Sequence, residues 1–380
     1  MNIATLSTPA LILDRARLEN NAARMRQRAS DLKVTLRPHM KTAKSHEVAL
    51  VGQGGQHGPI TVATLNEAEY FAAHGWTDIT YAVCIAPQKL DRVAELTAKG
   101  IKLGILIDSL QAAQAVADHP GAHHVWIEID CGEDRTGIAA SDPALLQIAQ
   151  CIETAARCTL LGVLTHGGQS YSALDLAEIV QVAEDERIAA VTAARTLRAA
   201  GIHCPGVSVG STPTATHAKH LEGVTEMRPG VYLLGDLFQA GLGSCTEADI
   251  ACSVLATVIS HRRSSNRIII DSGGLALSKD RSTQDTPFDA GYGRVVDAVT
   301  GTPMGDLYVA SVHQEHGEVT SASELPWATL PLGTVVRVLP NHICMTAAMY
   351  ERYHLVSTNG EITGHWGRTN GWSAPLGKRS

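Results

Sequence analysis

Val34-Thr35-Leu36-Arg37-Pro38-His39-Met40-Lys41-Thr42 reads as a short buried strand followed by a helix-stopping proline and a lysine. The β-branched and apolar residues of Val34–Leu36 favour an extended chain, and Pro38 biases the residue before it away from the helical region. Lys41 then stands just beyond a strand, where strand-and-helix barrels gather their reactive groups. An ordinary lysine is a solvated surface cation. A lysine held at a strand end is a candidate for Schiff-base chemistry with a carbonyl compound.

Outward from this stretch the same pattern repeats. Strand-like runs recur at Val34–Leu36, Ile60–Ala63, Ile79–Val83, Leu103–Ile107, Val125–Ile129, Leu160–Leu164, Val207–Val209 and Val231–Leu234, separated by Ala-, Leu- and Glu-rich helical stretches. Eight strand-helix units predict an α/β fold, a (β/α)8 TIM-like barrel, in preference to an open doubly wound sheet. Further on, helical periodicity fades: Val254–Ile259, Ile268–Ile270, Leu307–Val309 and Val335–Leu339 are strand-like runs joined by Gly-, Asp- and Ser-rich loops. The predicted organisation is a barrel over residues 10–243 and a C-terminal all-β domain over residues 244–380, which residues 1–9 are expected to join.

The chain of 380 residues is 44% hydrophobic and 18% charged, ordinary for a globular protein with a sizeable core. A formal charge of -7 and an aromatic content of 4% exclude a basic, base-stacking nucleic-acid surface and point to a small-molecule partner. Met1–Ser7 lacks the basic start and apolar run of a signal peptide, and no stretch has the length of a membrane span, so a cytoplasmic protein is expected. The eight cysteines form no Cys-x-x-Cys pair, which argues against a zinc finger or a disulfide scaffold.

At the expected C-terminal strand ends lie Lys41, Thr64, Asp130 to Arg135, His166 and the turn Gly210-Ser211-Thr212. A glycine and two hydroxyls between a strand and a helix start can present backbone N–H groups to a phosphate, although an ordinary helix cap has the same composition. Arg228-Pro229-Gly230-Val231 offers a similar nest, and His166 alone reads more readily as a structural residue than as a catalyst. In the β region, His342 and Cys344 follow a strand. Alternation along an extended chain would turn both to one side, where imidazole and thiolate suit a borderline divalent metal with positions left open.

Six segments together carry a family resemblance: Leu36–Thr42, Leu164–Tyr171, Val209–Thr214, Arg228–Tyr232, Gln314–Gly317 and Pro340–Cys344. In order, and nearly end to end, they resemble the eukaryotic-type D-serine dehydratases and the bacterial D-threo-3-hydroxyaspartate dehydratases. These belong to the alanine-racemase-like group of pyridoxal-phosphate proteins, a barrel followed by a β domain. The resemblance implies that Lys41 is the catalytic residue, joined covalently to pyridoxal 5′-phosphate. It further implies that Gly210, Ser211, Thr212, Gly230 and Val231 hold the phosphate, and that Arg135, His166 and Tyr171 surround the cofactor. His342 and Cys344 match the ligands of a divalent metal, zinc foremost, with manganese or cobalt as alternatives.

The implied activity is a cofactor- and metal-dependent dehydration of a D-3-hydroxy amino acid, such as D-serine or D-threo-3-hydroxyaspartate, to a 2-oxo acid and ammonia. A homodimer is expected. The related D-threonine aldolases tend to carry an aspartate in place of Cys344, which favours dehydration over retro-aldol cleavage. Asp271-Ser272-Gly273-Gly274-Leu275 offers no tyrosine as the second base of a racemase, and the His342-x-Cys344 pair argues against a non-catalytic pyridoxal-phosphate carrier.

Overall fold

The computed structural model describes residues 2–286 and 288–372. They form two compact units, one of residues 24–230 with 371–372, the other of residues 2–23 with 231–370. The division falls after Gly230, earlier than the composition shift near residue 243 suggested, and the N-terminal contribution to the β-rich unit is longer than nine residues.

The first unit is built on a curled parallel sheet of Thr35–Leu36, Ile60–Val62, Asp78–Cys84, Lys102–Ile107, His123–Asp130, Cys158–Thr165, Gly206–Val209 and Glu226–Met227. From Ile60–Val62 through to Glu226–Met227 neighbours in sequence are neighbours in the sheet, and Glu226–Met227 pairs on its other side with Thr35–Leu36. A parallel bridge joins His39 to Thr61, with Met40 N–H donating to Thr61 O at 2.8 Å and Thr61 N–H to Pro38 O at 2.9 Å. Helices return the chain between strands, several capped from their own sequence: Thr64, Ser109 and Asp175 each accept a backbone N–H of the first turn. Side chains of the strands, among them Ile60, Ile79, Leu103, Ile105, Val125, Ile127, Val163 and Val207, are fully buried.

One expected strand is absent. Val231–Leu233 is a 3-10 turn, and the eighth strand is the two-residue Glu226–Met227. Its glutamate broke the apolar pattern: buried Glu226 accepts from Arg37 Nε at 2.9 Å and from Ser208 Oγ at 2.6 Å. The polar strand is thus balanced by a partner on the strand beside it, as a buried carboxylate requires.

In the β-rich unit, Cys252–Arg262, Arg267–Ile270, Gly317–Thr320, Pro303–Val312, Gly293–Asp297 and Val335–Pro340 close an antiparallel ring of six strands, because the first pairs with both the second and the last. Ala10–Asp14 extends it, antiparallel to Cys252–Arg262 and parallel to Arg352–Val356, which pairs in turn with Ile362–Gly367. No helix among the described residues is long and apolar enough to cross a membrane.

Candidate active site

Polar groups gather where the parallel strands end. Lys41 lies in the turn after the His39 bridge, its backbone N–H donating to His39 Nδ1 at 3.3 Å. Its side chain is exposed, and among the described residues no hydrogen bond or ion pair engages its amine. Lys44, three residues on, is committed instead: its mostly buried ammonium pairs with Glu67 Oε1 at 3.2 Å. Of the two lysines in this turn, Lys41 is the available nucleophile.

His166 follows Cys158–Thr165 with Nδ1 3.0 Å from the Gly210 carbonyl oxygen. A carbonyl only accepts, so Nδ1 carries the hydrogen and Nε2 keeps its lone pair. Burial first, and then the positive charge of Lys41, lower its pKa to about 3, so the ring is neutral at pH 7. Burial, then Lys41 and Arg228, likewise hold His39 well below its ordinary value. Lys41, His39, Arg135 and Arg228 therefore all act electrostatically within reach of His166. Tyr171, on the 3-10 turn Gly168–Ser172, has its ring 6.3 Å from that of His166. Arg228 is buried: Nη1 donates to Ser208 Oγ at 2.6 Å and Nη2 to Thr165 O at 2.6 Å, leaving Nε without a hydrogen-bond partner.

The turn Gly210-Ser211-Thr212 adopts a conformation only glycine tolerates at its first position. Gly210 has φ +123°, and a Cβ there would lie 2.8 Å from Arg228 N. Its N–H groups are less open than the composition suggested. Gly210 donates to Glu186 Oε1 at 2.8 Å and Ser211 to Thr214 Oγ1 at 3.0 Å, while Ser211 Oγ meets Ser170 Oγ at 2.9 Å. What remains is Thr212 Oγ1, a buried hydroxyl with no hydrogen-bond partner at the start of Thr212–His217. An unsatisfied buried hydroxyl at a strand-to-helix turn fits an anion such as a phosphate. Gly230 packs its backbone against His39, where a Cβ would come within 2.5 Å of the His39 carbonyl oxygen, and Val231 opens the 3-10 turn of the other unit.

Glu186 escaped the sequence reading. It reaches from Leu176–Ala199 to accept Gly167 N–H at 2.6 Å as well as Gly210, and is fully buried with its carboxyl raised in pKa by that burial. The signal was present: Glu186 continues the buried stripe of Ile179, Val182, Ala183 and Ala190. Two further acidic groups lie at these strand ends, the first inside the Asp130 to Arg135 run read from the sequence. Glu133 pairs with Arg135, Oε1 to Nη1 at 3.3 Å. Cys84, Asp108 and Glu128, from the ends of three adjacent strands, have donor atoms within 4.8 Å of one another. The Cys84 thiol donates to Glu128 Oε2 at 3.0 Å, and burial, then the neighbouring carboxylates, raise its pKa far above the ordinary thiol range. Their separation along the chain carries no spacing motif.

In the β-rich unit, His342 and Cys344 do not alternate along a strand. The strand ends at Pro340, His342 caps the short helix Ile343–Thr346, and Cys344 lies within that helix. Asn341 makes the break by bonding sideways, Nδ2 to Thr283 Oγ1 at 2.8 Å and to Gly291 O at 2.7 Å. His342 Nδ1 lies 2.9 Å from Asp280 Oδ2, which leaves Nε2 for a metal in the manner of a carboxylate–histidine–metal relay. Burial opposes charge on His342, yet hydrogen bonds to Asp280 and Cys344 outweigh it and raise the pKa to about 11. A divalent cation would take the place of the proton on Nε2, and the imidazole nitrogen and thiol suit one of borderline softness.

Residues 13–237 match the alanine racemase N-terminal domain family, and residues 251–356 a serine dehydratase domain family. The chain is 45% identical to the D-threo-3-hydroxyaspartate dehydratase of Delftia sp. (strain HT23), covering 97% of this chain and 99% of that protein. It is 29% identical to the D-serine dehydratase of Dictyostelium discoideum over 98% of each chain, and 28% identical to the D-threonine aldolase of an Arthrobacter species over 96% of this chain and 92% of the relative. The solved structure of the Delftia dehydratase superposes with a TM-score of 0.94 at 43% identity, covering 98% of this chain and all of that one. Solved mutants of D-threo-3-hydroxyaspartate dehydratase replace a histidine and, two positions later, a cysteine by alanine, the latter described as a metal-free form. His342 and Cys344 have the same spacing.

Proposed function

Because the chain belongs to the alanine racemase N-terminal domain family, we propose that it is a pyridoxal 5′-phosphate-dependent dehydratase, a lyase converting a D-3-hydroxy amino acid to a 2-oxo acid and ammonia. The observation that carries the reading is the unengaged amine of Lys41, whose charge bears on a neutral His166. In this reading Lys41 holds the cofactor covalently. Gly210, Ser211, Thr212, Gly230 and Val231 receive its phosphate, and Arg135, His166 and Tyr171 surround its ring. A closed (β/α)8 barrel is part of the same reading and is supported by the His39–Thr61 bridge.

When bound, pyridoxal phosphate supplies an electron sink for charge left at Cα, and a divalent cation on His342 and Cys344 supplies a Lewis acid for the departing hydroxyl. The chain does the rest. The Lys41 amine, once free, would take the Cα proton onto Nζ. His166 offers Nε2 as an acceptor without adding charge, because its Nδ1 hydrogen is held by Gly210 O. Glu186 keeps the two turns bearing His166 and Ser211 in fixed register, so neither must reorganise as charge develops.

Product analysis tests the proposal. Incubation with D-serine and with D-threo-3-hydroxyaspartate is expected to give ammonia with pyruvate and oxaloacetate, and none from the L-enantiomers. Stoichiometric glycine from D-threonine without ammonia would overturn it in favour of the retro-aldol chemistry named in the Arthrobacter relative. The homodimer belongs to the reading too, and light scattering of the purified protein decides it.

A further inference from the structure

Around Lys41 and His166 the cations differ in availability. Arg228 is buried and donates to the Thr165 and Val209 carbonyl oxygens and to Ser208. Buried Arg37 is taken by Glu226 and Asp78, and Lys44 by Glu67. Arg135 stands apart: its side chain is 54% exposed, it lowers the pKa of His166, and its one ion pair among the described residues is with Glu133 at 3.3 Å. It is the accessible guanidinium to which a substrate carboxylate can turn.

Glu133 is held to that duty by its surroundings. The Asp130 carboxylate accepts the backbone N–H groups of Gly132, Glu133 and Asp134 at 2.9 to 3.2 Å, which fixes the loop. The Glu133 carboxyl lies directly over Gly168, where a Cβ would come within 2.1 Å of it, so the motif following His166 has a glycine where this carboxylate needs space. Glu133 also feels Lys41, Glu128 and Asp130. Burial, the largest influence, raises its pKa against the pull of Arg135 and Lys41, so the pairing is not a relaxed surface bridge.

We propose that Glu133 is a specificity-determining residue that neutralises Arg135 and thereby sets how strongly the site favours an amino acid with a second carboxylate over one without. A substrate with a single carboxylate meets a balanced Arg135–Glu133 pair. A dicarboxylate meets the same pair plus the repulsion of Glu133, and it gains more when that charge is removed. This rests on the reading of these strand ends as the amino-acid site.

D-Aspartate and D-alanine, which lack a β-hydroxyl and cannot be dehydrated, separate binding from turnover. Calorimetric titration of the cofactor-loaded protein with each gives the ratio of their affinities. In Glu133→Gln that ratio is expected to shift about tenfold toward D-aspartate, the scale of one partly screened charge at short range. Glu133→Asp, which keeps the charge but shortens the reach to Arg135, is expected to shift it less, in the same direction. A ratio equal to the parent's in both variants overturns the inference, as does the absence of any D-amino-acid binding. Turnover of D-serine by the parent reports separately: a parent that dehydrates nothing, with variants that show the shifted ratio, sinks the dehydratase reading and supports the specificity role.

Discussion

The carboxylate of Glu186 accepts the backbone N–H of Gly210 at 2.8 Å, and the same oxygen accepts that of Gly167 at 2.6 Å. One helix side chain thereby ties the turn after His166 to the turn of Ser211 and Thr212, two strand ends that are adjacent in the sheet but 43 residues apart in sequence, from 167 to 210. Glu186→Ala leaves both N–H groups buried without an acceptor and is expected to cost about 3 kcal/mol in urea unfolding. Cofactor affinity, read from the visible absorbance of the bound form, should fall with it.

Borohydride reduction of the cofactor-loaded protein, followed by peptide mapping, is expected to label Lys41. Lys41→Ala should abolish the label and the turnover. Lys44→Ala should keep the label, because that lysine serves Glu67. A label on Lys44 would contradict the assignment made from their different partners.

Metal binding should depend on a residue that does not touch the metal. Asp280→Asn weakens the hydrogen bond that orients His342, and zinc affinity in equilibrium dialysis is expected to drop about 10- to 100-fold with circular dichroism unchanged. His342→Ala and Cys344→Ala are expected to lose the metal while retaining the cofactor. Zinc bound stoichiometrically by the double alanine variant would show that the ligands are elsewhere, with Cys84, Asp108 and Glu128 the next place to look.

Stability should decline in mild acid for a reason far from catalysis. His123 is buried, its Nε2 lies 2.9 Å from His119 Nδ1, and its own Nδ1 has no hydrogen-bond partner. Burial, then His119, lower its pKa to about 4 from 6.5. Between those values the unfolded chain binds a proton that the folded one refuses, so this stabilisation is complete above pH 6.5 and is lost as pH falls toward 4. The contribution is about 3 kcal/mol at most. His123→Phe should flatten the dependence of urea midpoints on pH across that window, and an unchanged slope would refute the assignment.

Much of this was legible in the chain because strands buried on both faces read as apolar runs. Seven of the eight strands of the parallel sheet announce themselves so. The eighth did not, since Glu226 is satisfied by Arg37 and Ser208, a compensation visible only in three dimensions. Lys41 and His166 were legible from their place after strands. Glu186 was hidden by its charge in a helix of mixed composition, while Glu133 was legible only as one member of the Asp130 to Arg135 run. The His342–Cys344 pair was singled out by residue type, although the backbone around it is a helix start rather than a strand.

The pairing of Ala10 with Leu255 has a consequence for biosynthesis. A ribosome making about 5–20 residues per second needs roughly 12 to 50 s to deliver the partner of the first strand. During that interval Ala10–Asp14, whose apolar residues are all buried in the finished protein, has only the nascent chain and whatever binds it for company. Its other neighbour, Arg352–Val356, arrives later still. The parallel sheet of residues 24–230 has all its strands within one continuous segment, so it can condense first, while the opening strand waits for the chain to be nearly complete.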